Sequence, residues 1–137
     1  MIAMSTRHAI AAAAFALTGL AAEAHHSIGA VYDSQRQQRV EGVVAEFQFI
    51  NPHPFVIVTV DAQGAAESWR LEMDNRFELQ NIGVTGETLK PGDRVVVTGS
   101  LGRNEPRTLY IRRLDRPADG FRYEQLGSRP RVGTARD

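Results

Sequence analysis

Phe49-Ile50-Asn51-Pro52-His53-Pro54-Phe55 lies between two runs of strand-forming residues, and its reading sets the architecture. A proline drives the residue before it away from helical backbone, so Asn51 and His53 are both extended. Neither Pro52 nor Pro54 can donate a ladder hydrogen bond, which places the stretch at a sheet edge or a loop mouth. The outcome is an imidazole carried on a short, stiff connection.

Working outward, Arg39 to Phe49 reads as one long strand, with Val43, Ala45, Phe47 and Phe49 on one face and Val44, Glu46 and Gln48 on the other. Gly42 suits a bulge or a sharp bend, as a strand serving two sides of a small barrel requires. On the other side, Phe55 to Val60 is apolar on both faces, and Glu67 to Met73 alternates with Trp69, Leu71 and Met73 together. The spacing then predicts a short helix from Asn75, which caps it with Glu78 three residues later, to Gly83, which ends it. Arg94 to Gly99 and Thr108 to Leu114 supply two more strands. Three meandering strands, a helix and two strands give a mainly β fold: a small OB-like five-stranded barrel with one short helix between strands 3 and 4. Residues 39–120 form this single domain, residues 25–38 an N-terminal arm, and residues 121–137 a C-terminal tail, partly disordered.

The chain opens with Arg7 and His8 ahead of an apolar run, Ala9 to Leu17, and then reaches Ala22-Glu23-Ala24. A basic start, a short apolar stretch and a small-x-small site are the marks of a signal peptide over residues 1–24. The apolar run is shorter than the ~20 residues that a membrane span needs. The expected location is therefore periplasmic or secreted, with no membrane span after cleavage. The absence of cysteine excludes disulfides, thiolate metal sites and cysteine nucleophiles. Zero formal net charge argues against a nucleic-acid partner.

Cleavage after Ala24 makes His25 the first residue, offering a free amine and its own imidazole to one ion. His53 adds a third nitrogen, and His26 offers a competing mode through the intervening amide. Nitrogen ligation of this kind suits Cu(II), which tops the divalent affinity order and accepts tetragonal geometry. Zinc wants a closed tetrahedral set, and no fourth ligand is evident. The predicted metal ligands are thus His25, His26 and His53, and the predicted cofactor is copper. The plainer role for His53 is a turn residue whose ring bonds a backbone carbonyl. Glu72 and Asp74 read as strand-face and capping charges, and Trp69 as a core filler. No Ser-His-Asp set or nucleophile elbow points to an enzyme. The alternative function is a metal-free envelope adaptor that binds a protein partner or a glycan through the barrel face.

Four stretches carry a resemblance: His25-His26-Ser27, Asn51-Pro52-His53, Trp69-Arg70-Leu71-Glu72 and Leu89-Lys90-Pro91-Gly92-Asp93. Together with Asp119-Gly120 they resemble a family of small exported bacterial proteins classed as a domain of unknown function. The chain departs from that pattern at Phe49-Ile50, where the family has Trp-Thr, and in its last dozen residues. The resemblance implies export and one barrel-like domain, and it implies no activity.

Overall fold

The computed structural model describes residues 27–135. A single helical turn, α1 (Ile28–Val31), leads into a 17-residue strand, β1 (Tyr32–Gln48). Then come β2 (Phe55–Ala62), β3 (Ala65–Glu72), a short α2 (Arg76–Asn81), β4 (Arg94–Gly102), β5 (Thr108–Arg116), β6 (Phe121–Leu126) and β7 (Arg129–Thr134). The described residues are mainly β, with seven strands in one sheet ordered β3-β2-β1-β4-β5-β6-β7. Neighbours in that order are antiparallel, and β3 also pairs in parallel with β5.

β1 is long because it serves two partners. Residues from Tyr32 to Val43 pair with β4, and residues from Val43 to Gln48 pair with β2. Its inward face changes parity on the way. Val40 and Val44 are buried while Val43 is 37% exposed, and beyond the bulge Phe47 and Phe49 turn toward the core. The cause is Ala45, an extra residue between the pairs Val44↔Val58 and Glu46↔Ile57. One inserted residue flips every later side chain to the other face, so the predicted face holds for Phe47 and Phe49 and is reversed for Val43 and Ala45. Gly42 lies where β1 passes closest to β2: a Cβ there would fall on the Thr59 carbonyl and the Val58 side chain.

The turn before β4 fastens the bend. Gly92 N donates to Val44 O at 2.8 Å and Val44 N to Asp93 O at 2.8 Å, while Gly92 adopts φ +96°. Arg116 then ties this turn to the end of β5, through Asp93 at 2.8 Å and the Thr88 carbonyl at 2.7 Å. The helix begins as its sequence dictates: the Asn75 side chain accepts from Glu78 N at 2.9 Å, and Gly83 takes φ +88° beyond the last turn. Leu79, Val84 and Leu89 carry this segment into the same core as Val56, Val58, Leu71, Val95, Val97, Leu109, Ile111 and Leu114.

Two stretches expected to be irregular are strands. Residues 32–38, read as arm, form the first part of β1, with Ser34, Gln35 and Arg36 looping out between the pairs Asp33↔Leu101 and Gln37↔Ser100. Residues 121–134, read as tail, form the β6–β7 hairpin, which closes on Gly127 (φ +69°) and Ser128. β6 buries Tyr123 and Gln125 on alternate positions, so it packs on the core as a strand despite its polar composition. No helix among the described residues is long and apolar enough to cross a membrane.

Candidate functional site

His53 sits in a loop stitched to the β3–α2 connection by its flanking prolines. Arg76 N donates to Pro52 O at 2.9 Å and Met73 N to Pro54 O at 3.0 Å. The Asn51-Pro52 peptide is cis. Between these anchors the His53 ring turns inward, and Nδ1 lies 2.9 Å from Met73 O. A carbonyl oxygen only accepts, so Nδ1 carries a proton, and in the neutral ring the lone pair then lies on Nε2. Nε2 makes no hydrogen bond with any described residue. The plainer role expected of His53 is thus met on one side of the ring, and the other side is left as a nitrogen donor.

Glu72 lies beside it. One carboxylate oxygen is 3.2 Å from His53 Nδ1, and the other accepts from the Tyr32 hydroxyl at 2.6 Å. The two side chains of the His53–Glu72 pair are only 19% and 14% exposed. Glu72 ends β3 at the point where its backbone faces Phe55 on one side and Tyr110 on the other, so both neighbouring strands fix its position. Tyr32 is buried, its ring 5.8 Å from that of Tyr110, and the Arg112 guanidinium lies 4.9 Å from the Tyr110 ring. Tyr123 completes the group, its hydroxyl donating to Gln125 at 3.1 Å and facing Asp74 N at 3.4 Å.

All three tyrosines of the chain are therefore buried around this end of the sheet. Burial pushes each hydroxyl well above its ordinary range. The hydrogen bond to Glu72 adds to this at Tyr32, and the charge of Asp74 at Tyr110. The phenols stay protonated at neutral pH, and that of Tyr32 donates, which is what the Glu72 carboxylate requires.

The segment entering β1 is held from a second direction. Arg103 donates its backbone N–H to Val31 O at 2.8 Å and its Nε to Gly29 O at 3.0 Å, and its Nη1 is 3.3 Å from Asp33. The arm is thus pinned on both sides of Tyr32.

Of the predicted ligands, the structure places His53. His25 and His26 lie outside the described residues, as does the signal peptide at residues 1–24. No group of three or more histidine, aspartate and glutamate side chains is arranged to hold a metal among the described residues. Glu72 and Tyr32 are the site residues that composition and spacing did not reveal. The signal for Glu72 was the strand motif Trp69-Arg70-Leu71-Glu72, in which Trp69 packs against the core with its indole N–H sealed from solvent.

The sequence model of DUF6152, a family of unknown function, matches residues 12–109. The chain belongs to that family. No curated protein matches it. Among solved structures, a chain in the crystal structure of the TiaS-tRNA(Ile2)-ATP complex is similar at 21% identity with a TM-score of 0.44. The likeness covers 67% of this chain and 23% of that one, and it carries no argument about ligand or activity.

Proposed function

We propose that this DUF6152 chain is an exported small binding protein, periplasmic or secreted, that holds copper through His53 and the histidines freed at its processed start. The observation that carries the proposal is the fixed state of His53. Ligating histidines characteristically donate their other ring N–H to a carbonyl or carboxylate, which sets the tautomer and aims the free nitrogen. His53 has this arrangement with Met73 O and Glu72. Removal of residues 1–24 supplies the remaining ligands: the amine and ring of His25, with His26 as the competing donor. Supporting this is where the described chain begins: His26 is two residues before the α1 turn (Ile28–Val31), which leads into Tyr32, and Tyr32 is bonded to the carboxylate that touches His53.

The scaffold in this proposal is an OB-like five-stranded barrel extended by a hairpin. Supporting it is the cycle of pairings β1-β2-β3-β5-β4-β1, which leaves none of those five strands without two partners. His53 then sits on the connection between the first two strands.

Cu(II) titration into the processed chain tests the reading, with intact mass fixing which residue bears the amine. One equivalent binding with nitrogen ligation, lost in His53→Ala, is the expected result. Affinity falls on acidification, because amine and imidazole ligate only when deprotonated. A spectrum without nitrogen ligation, or one unchanged in His53→Ala, removes the copper assignment. The second reading is the metal-free adaptor with a protein partner, favoured by Ile50 and Phe77. These are exposed to 48% and 68% on segments joined by the Pro52–Arg76 hydrogen bond. It predicts that His53→Ala is silent while Phe77→Ser abolishes partner capture.

A further inference from the structure

We infer that Glu72 is the positioning residue of this site, and Tyr32 the clasp through which it holds the N-terminal arm beside His53. Three separate features converge on Glu72. Its backbone is paired with β2 and β5 at once, so the side chain starts from a rigid point. One carboxylate oxygen takes a short hydrogen bond from Tyr32, which stops the carboxylate from rotating. The other oxygen faces the proton-bearing nitrogen of His53. A carboxylate in that place makes Nε2 a stronger donor and keeps the ring aimed, without touching the ligand itself.

Tyr32 connects this shell to the arm. Its ring is buried against Tyr110, and the residues just before it are held by Arg103 through Val31 O and Gly29 O. The chain therefore enters β1 from a fixed point at Gly29 and Val31. Fixing the departure point shortens the search that an upstream nitrogen makes for His53, as a short tether raises effective concentration. Toward the metal this inference rests on the copper reading above; the hold on the arm does not.

The test uses the exported, processed chain and two readouts: Cu(II) affinity by competition, and amide exchange at Arg103, whose N–H bonds Val31 O, in metal-free protein. Glu72→Gln keeps an oxygen for Tyr32 but loses the charge; copper affinity is expected to fall about 10–100-fold, with Arg103 exchange unchanged. Tyr32→Phe is expected to speed Arg103 exchange by about tenfold and to weaken copper as well. Glu72→Asp restores the charge and recovers part of the affinity lost in Glu72→Gln. Wild-type affinity in Glu72→Gln, or an equal loss in Glu72→Asp, overturns the positioning role. Unchanged Arg103 exchange in Tyr32→Phe overturns the clasp. A wild-type chain that takes up no Cu(II) sinks the copper reading and the metal half of this inference, and Arg103 exchange still decides the other half.

Discussion

Two polar clusters in this molecule are each built around carboxylates and differ in what surrounds them. At the His53 end, a carboxylate, a phenol and an imidazole are packed together, with Glu72 14% exposed. On the β5–β6 side, Asp115 takes Arg113 at 2.6 Å and Arg122 at 2.8 Å, and Arg116 bridges Asp93 and Asp119. There the outer partners face water, the Arg113 side chain 45% exposed and that of Asp119 55%, while Arg116 at 16% is as covered as His53 at 19%. Water replaces Arg113 or Asp119 readily and reaches the Glu72–Tyr32–His53 group far less. The outer pairs therefore trim the surface, whereas the His53 cluster and the Arg116–Asp93 tie fix a conformation.

The largest effect expected on this contrast comes from the buried aromatic of the β6–β7 hairpin. Tyr123→Ala removes an aromatic with 0% exposure and should cost about 3–5 kcal/mol, read as a lower urea midpoint. A much smaller loss would mean that the hairpin lies on the core without belonging to it. Next comes Glu72→Ala, which strands the Tyr32 hydroxyl inside the protein and should cost about 2–3 kcal/mol. If that variant is as stable as the wild type, the contrast between the clusters collapses.

The surface cluster has its own signature in acid. Burial alone would raise the Asp115 carboxyl, but hydrogen bonds from Arg113 and Arg122 outweigh it and hold the group below its ordinary value. Asp119 is lowered by its hydrogen bond from Arg116. A depressed carboxylate contributes stability above its unfolded value and loses it as pH falls through the folded one. The contribution is thus intact at neutral pH and disappears below about pH 4. Asp115→Asn should lower stability at pH 7 and flatten that part of the pH–stability curve; an unaltered acid limb would show that the two arginines do not hold the charge. Smallest is Arg131→Ala. Its pair with Glu124 is 2.6 Å long, yet the arginine is 66% exposed, so a change within about 0.5 kcal/mol is expected in thermal melts.

Local chemistry made much of the fold readable. Asn75 and Gly83 bound α2 because a side-chain acceptor and a left-handed residue are local requirements, and the Leu89 to Asp93 turn follows from the same kind of rule. The β6–β7 hairpin was also marked, by Phe121, Tyr123 and Gln125 on alternate positions ahead of Gly127-Ser128. Its arginines disguised that alternation as a polar tail. The facing of β1 was a different matter. Ala45 becomes an extra residue only when β2 sets the register, and no residue in β1 announces that shift.

Sequence alone determined a mainly β chain, its one substantial helix and its turns, and it picked His53 out as a rigidly mounted imidazole. Proline, glycine and capping residues act on their immediate neighbours, so their consequences travel with the text. Tertiary structure decided the rest: that Glu72 is a partner and no mere strand-face charge, and that Tyr32, 40 residues earlier, closes on it. That contact exists because β3 pairs with both β2 and β5, bringing its last carboxylate under the first strand's tyrosine. A hydrogen bond between such distant residues is set by how strands meet, which no local pattern encodes.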